Sequence, residues 1–295
     1  MKYLENAFKF LGKNLLLSIP LIIMVVIPSV IQGSGNSLVL TDQINELQAS
    51  YISGSIEYSD FLIMLFDLIR PLLILMAIAS IVSLVMSFLI APATYGMVNK
   101  ALREGKADLT DFFPQMGKNI LKFIIYNIAN LVLWLIILII SGAIAALLVF
   151  LVIGLSNVSP PLMGLGIVIS ILLGVVLVLA LIGFSFLTVY WFPAMVIDNL
   201  GVIAAFKKSI EVSKSYYWPT VGLILLVLLV GGVISTFVAF PFALLPYVGV
   251  VISSVPTALC SFITIVFVMM VYRDKTGKNQ PQDDEIGGSA PYEFI

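Results

Sequence analysis

Residues 118–155 read KNILKFIIYNIANLVLWLIILIISGAIAALLVFLVIGL, a pair of lysines followed by an apolar run, Phe123–Leu155, without one charged residue. A helix rises about 1.5 Å per residue, so this run exceeds a hydrocarbon core of about 30 Å. Splitting it into two crossings leaves no polar turn between them. It is therefore read as one crossing helix that tilts, kinks near Gly142 or projects past the far leaflet.

Working outward, five more runs meet the same requirement: Leu15–Gln32, Arg70–Pro92, Leu162–Phe192, Pro219–Phe240 and Tyr247–Tyr272. The chain has fifteen Lys and Arg residues, and all but Arg70 fall in four clusters between or beside these runs. Lys2, Lys9 and Lys13 precede the first span. Lys100, Arg103, Lys106, Lys118 and Lys122 lie between the second and third, Lys207, Lys208 and Lys214 between the fourth and fifth, and Arg273, Lys275 and Lys278 after the sixth. The long loop expected between Gly33 and Asp60 carries Asp42, Glu46, Glu57 and Asp60 and no cation. Lys and Arg stay on the cytoplasmic side of a membrane, so both termini are expected there. The N-terminal lysines and the run after them resemble a signal peptide. The length of the run, Pro20 and Pro28 within it and the lack of a small-x-small cleavage site favour a retained span.

Composition narrows the chemistry. The 295 residues are 61% hydrophobic and 11% charged, against about 45–50% and about 25% for soluble domains. A net charge of −1 argues against nucleic acid as a partner, which calls for a concentrated basic surface. There is no His, hence neither the commonest general base nor the commonest metal ligand. The single Cys, Cys260, lies in an apolar run and excludes a disulfide framework or a cysteine metal cage. No phosphate loop, nucleophile elbow or dinucleotide fingerprint is present. No catalytic, cofactor-binding or metal residue is assigned, and the chain is read as non-enzymatic.

Each odd-numbered span follows a similar element. Before the first it reads Ala7-Phe8-Lys9-Phe10-Leu11-Gly12-Lys13-Asn14, and before the third Phe112-Phe113-Pro114-Gln115-Met116-Gly117-Lys118-Asn119. Before the fifth it is the looser Ala205-Phe206-Lys207-Lys208-Ser209-Ile210. Leu4, Ala7, Phe8 and Leu11 share one helical face, as do Ile203, Phe206, Ile210 and Tyr217, with the cations facing elsewhere. Such helices lie in the interface plane. The fold expected is an all-α polytopic membrane protein, six transmembrane helices in three pseudo-repeated hairpins with interfacial amphipathic helices. The pseudo-repeats cover about 1–105, 106–198 and 199–278, and together they make one transmembrane domain, 1–278. Residues 279–295 read as a disordered cytoplasmic tail. The second helix is expected to run on to Gly105 as its C-terminal cap, with Asp108 or Thr110 capping the next helix.

Polar groups that could touch a ligand are few. Asp67 and Arg70, three residues apart near the outer end of the second span, can pair and either contact an anion or anchor the helix. Asn127 and Asn130 can line a polar path or hydrogen-bond a neighbouring helix. Lys100, Arg103, Lys207 and Lys208 can hold anionic lipid headgroups or serve topology alone. Asp198 is expected to cap the amphipathic helix that follows it. Gly231-Gly232 and the set Gly164, Gly166, Gly174 permit close helix approach. No carboxylate sits at mid-membrane, which weighs against ion-coupled transport.

The stretch Phe192-Pro193-Ala194-Met195-Val196-Ile197-Asp198-Asn199-Leu200-Gly201-Val202-Ile203-Ala204-Ala205-Phe206-Lys207-Lys208-Ser209, with Tyr217-Trp218 and the closing Val271-Tyr272-Arg273-Asp274, resembles a widespread prokaryotic family. That family is the six-helix membrane domain found beside glycerophosphodiester phosphodiesterases, together with related membrane domains of unknown function. The order of the closing charged residues departs from its pattern. The resemblance implies a six-helix bundle with interfacial helices in a prokaryotic plasma membrane. It does not imply phosphodiesterase activity, which needs His, and it carries over no site residues. The function expected is to bind or translocate lipids or small amphiphiles, with membrane lipids and protein partners as contacts and no cofactor. The alternative is a membrane scaffold or regulatory subunit of a larger complex. A lipid-handling protein would show a groove between spans with a cation at its mouth.

Overall fold

The computed structural model of the protein describes residues 2–33, 37–242 and 245–278. Among them there is no strand. The helices are α1 (Lys2–Lys13), α2 (Ile19–Gly33), α3 (Ser37–Ile52), α4 (Tyr58–Glu104), α5 (Phe112–Ser156), α6 (Pro160–Leu187), α7 (Trp191–Ile197), α8 (Val202–Ala239) and α9 (Pro246–Lys275). Short 3₁₀ turns, Leu15–Ser18, Leu109–Asp111 and Phe240–Phe242, join some of them. Among the described residues, six helical stretches are long and apolar enough to cross a membrane: Leu15–Gly33, Tyr58–Glu104, Leu109–Ser156, Pro160–Ile197, Val202–Phe242 and Tyr247–Lys275. They are compatible with a multi-pass membrane protein. The tail expected at 279–295 lies outside the described residues.

Local chemistry accounts for most boundaries. The α4 helix runs unbroken past Pro71 and Pro92 and stops where Gly105 turns left-handed at φ 78°, its N–H bonding the Ala101 carbonyl at 2.9 Å. This is the expected glycine cap, since the left-handed region costs glycine nothing. The next helix opens at Asp108, not Thr110, and the Asp111 carboxylate accepts the Asp108 N–H at 3.0 Å. The α5 helix continues through Gly142 without a break, so neither a kink there nor a second turn occurs. In α8, Tyr216 leaves helical geometry at φ −140°, ψ 32°, three residues before Pro219. Proline has no N–H to give and its ring collides with the carbonyl four residues back, so the amphipathic segment and the apolar span meet at a break.

Three expectations need correction. The segment between Gly33 and Asp60 is not a loop throughout, because α3 occupies Ser37–Ile52. Its half-buried Ile44 and Leu47 recur at helical spacing, and Tyr51 stacks on Phe61 of α4 with ring centroids 5.0 Å apart. No continuous apolar run marks it, so a search for spans passes over it. The buried face of α1 is Leu4, Ala7 and Phe10, while Phe8 is exposed. Phe10 packs on Phe262 of α9 at 6.3 Å, so this face is covered by protein and not by interface. The buried face of α8 begins with Ala205, Ser209, Val212 and Ser213, and Ile203 is 69% exposed. Small residues won there because a neighbouring backbone comes close enough to bond their hydroxyls, as described below.

The chain forms two compact units. The first comprises the described residues of 1–120 and 223–270, the second Leu121–Gly222 with the described residues from Val271 onward. Their boundaries do not follow the three pseudo-repeats. In the first unit, glycines set the helix spacing. A β-carbon on Gly231 would lie 2.6 Å from the Cys260 sulfur, one on Gly33 would lie 2.7 Å from Val250, and one on Gly96 would lie 2.6 Å from Asn119. Gly232 has open space around it, as do Gly164 and Gly174, so of the expected small-residue contacts only Gly231 and Gly166 are tight. In the second unit, α5 and α6 bury little of their length. Three consecutive residues, Leu138, Ile139 and Ile140, are 67%, 70% and 55% exposed. Consecutive helical positions point about 100° apart, so apolar side chains face outward around much of the α5 circumference.

Candidate functional site

The second unit is organised around the end of α6. The last carbonyls of a helix have no partner inside it, and here α8 supplies hydroxyls to one side of that end. Ser209 donates to the Leu187 carbonyl at 2.8 Å and Ser213 to the same oxygen at 3.0 Å. Tyr217 donates to the Gly183 carbonyl at 3.0 Å. Ser209 and Ser213 are four residues apart, hence one above the other on α8, and Tyr217 follows just past the break at Tyr216. Gly183 admits this approach, since a β-carbon on it would stand 3.0 Å from the Tyr217 hydroxyl.

Beside this ladder lies an open groove of about 480 Å³, lined by Ala180, Gly183, Phe184 and Leu187 of α6 and by Lys214 and Tyr217 of α8. Its walls are mainly apolar, with the Lys214 ammonium as the only charge lining it. Lys214 is exposed and makes no ion pair among the described residues. The volume falls within the range of about 300–1,000 Å³ that small-molecule sites occupy.

A polar and aromatic knot closes the same unit. After α7, Asp198 is followed by Asn199 at φ 55°, a left-handed turn that Asn tolerates. Asp198 does not cap α8 as expected. Its carboxylate accepts the buried Tyr272 hydroxyl at 2.6 Å and pairs with the Lys278 ammonium. The Arg273 guanidinium donates to the Lys278 carbonyl at 3.2 Å, and the Lys275 ammonium sits 5.1 Å from the centre of the Tyr216 ring. Tyr190 and Thr220 share a buried hydroxyl pair at 2.6 Å. The Trp191 indole donates to the Val202 carbonyl at 2.8 Å, and its ring packs on Phe206 at 4.8 Å. The motif residues Asp198, Phe206, Tyr272 and Arg273 are thus engaged in tying α7, α8 and the end of α9 together.

Most of the candidate polar residues are occupied or isolated. Lys100 pairs with Asp111 at 2.6 Å, Arg103 pairs with its neighbour Glu104, and Lys208 pairs with Glu211 at 2.8 Å. Lys207 is exposed and makes no ion pair among the described residues. Asp67 and Arg70 are both exposed and form no ion pair there, as an exposed pair gains little from holding two side chains fixed. The Asn127 amide donates to the Phe123 carbonyl of its own helix at 2.8 Å, not to a neighbouring one. Asn130 is half-buried. No group of acidic, Cys or His side chains able to hold a metal occurs among the described residues. The residues missed in the sequence are Lys214 and Tyr217. For Tyr217 the signal is the hydroxyl repeated every four residues from Ser209 through Ser213; for Lys214 the sequence holds none beyond its place in a basic cluster.

A search of curated proteins found no match, and none was found among solved structures. Nothing found links the chain to glycerophosphodiester phosphodiesterases. The model of the family described as domain of unknown function DUF7847 matches residues 59–274, from the start of α4 to the end of α9. The chain belongs to that family.

Proposed function

We propose that this is a non-enzymatic integral membrane protein that binds an anionic amphiphile, and helps it move, at the α6–α8 groove. The acyl chain lies against Ala180, Phe184 and Leu187, and the headgroup meets Lys214. The observation that carries this reading is the coincidence of an apolar trough with one unpaired cation among its lining residues. The outward-facing apolar surface of α5 supports hydrocarbon as the surrounding solvent, since water would penalise each exposed side chain by about 25 cal/mol per Å². The clustered lysines support cytoplasmic termini, and the sequence resemblance supports a prokaryotic plasma membrane. The same apolar surface favours a second reading, a scaffold whose α5 and α6 receive a protein partner.

Native mass spectrometry from nanodiscs tests the first reading. Phosphatidylglycerol should be retained over phosphatidylcholine. Lys214→Ala should lower that preference about five-fold, from a contribution of about 1 kcal/mol per surface cation. Ala180→Trp, which fills the trough without changing charge, should lower retention of both lipids. Retention indifferent to both substitutions would reject the groove and leave the scaffold reading.

A further inference from the structure

The first unit holds a separate groove of about 460 Å³ between α2, the second half of α8 and the first half of α9. Its chemistry differs from that of the α6–α8 groove. The lining contains five hydroxyls, Ser29, Ser235, Ser253, Ser254 and Thr257, one amide, Gln32, and no ionisable side chain. The hydroxyl protons are mostly committed. Ser29 donates to the Val25 carbonyl at 2.7 Å, and Ser253 and Ser254 both donate to Val250, at 3.0 and 2.6 Å. Thr257 donates to the Ser253 carbonyl at 3.3 Å, and it shares a contact of 3.1 Å with Ser235. A hydroxyl that has given its proton still offers lone pairs, so the groove presents a field of neutral acceptors.

Such a field selects its ligand. An anion would find no cation and only the Gln32 amide to donate to it. A cation would leave water with no counter-charge, which is costly. A neutral molecule rich in O–H donors can satisfy the acceptors without either penalty. We infer that this groove binds a polyol or glycosyl group, either free or as the headgroup of a neutral lipid. Gly33 holds the site's geometry, because a β-carbon there would meet Val250 at 2.7 Å and force the ends of α2 and α9 apart.

The full chain in nanodiscs distinguishes the sources. Glucosyl diacylglycerol diluted in phosphatidylcholine tests the lipid-linked group by native mass spectrometry. Free glucose and trehalose, added to phosphatidylcholine nanodiscs, test the soluble one by ligand-observed NMR. Retention of one class above the phosphatidylcholine control is expected. It should fall about ten-fold in Ser254→Val with Thr257→Val, substitutions that remove acceptors. Ser235→Leu, which fills the groove from α8, should act likewise, and thermal unfolding of each variant checks that the fold survives. Ala180→Trp in the other groove should leave this binding intact, so the two sites fail independently. Binding of neither class above the control, or binding that persists in both the valine pair and Ser235→Leu, would overturn the inference.

Discussion

Asp198 shows how one residue can be placed correctly and assigned the wrong partner. At the end of α7 a carboxylate can reach back to a helix start or forward to a distant side chain. Here it takes a buried phenol and an ammonium from the far end of the chain. The Tyr272 ring is fully buried, so removing its acceptor strands a hydroxyl. That penalty is about 1–3 kcal/mol, whereas Tyr272→Phe leaves the carboxylate paired with the Lys278 ammonium. Asp198→Ala should therefore destabilise the protein more than Tyr272→Phe does, by about 1–2 kcal/mol, in denaturant titrations in detergent. Equal losses would mean that the carboxylate contributes through the Tyr272 bond alone and that Lys278 adds nothing. The fate of Lys100 follows the same logic. A cation that could hold a lipid headgroup or serve topology alone is held 2.6 Å from Asp111, and only the turn after Gly105 brings that carboxylate near.

At the scale of elements, α6 and α8 are joined through backbone oxygens that accept side-chain hydroxyls. The Leu187 carbonyl accepts two hydroxyls, and two lone pairs allow it to do so. Either donor alone keeps that oxygen satisfied. Ser209→Ala and Ser213→Ala should each cost about 0.5 kcal/mol, and the pair more than their sum, reaching about 1–3 kcal/mol. A double-mutant cycle in thermal unfolding reads this coupling directly, and strict additivity would show that the two bonds are not exchangeable. The α8 break at Tyr216 serves the same junction. It falls between Ser213 and Tyr217, within the ladder itself.

At the scale of the whole molecule, the proposed membrane arrangement expects every basic cluster on one side. With Cys260→Ser as background, single cysteines at Lys106→Cys and Lys207→Cys should react with a membrane-impermeant maleimide from the same side. Gln48→Cys on α3 should react from the opposite one. Reaction of the two former positions from opposite sides would break the topology and, with it, the placement of both grooves. The compact units add a point that repeat matching does not: α5, α8 and α9 each contribute residues to both, so chain order and packing order diverge.

Six long helices could be read directly because hydrocarbon imposes a length and a composition that a one-dimensional search detects. The Gly105 cap was equally legible, since it depends on the backbone of its own residue. Helix α3 was not, for it lacks an unbroken apolar run and is held by rings of α4. Nor was it legible which face of α1 and α8 would be buried, whether Lys100 or Lys214 would be left unpaired, or that five scattered hydroxyls would line one groove. Those outcomes depend on which backbone approaches within hydrogen-bonding distance. Helix spacing, set by single glycines such as Gly231 and Gly33, decides that only once the chain has folded.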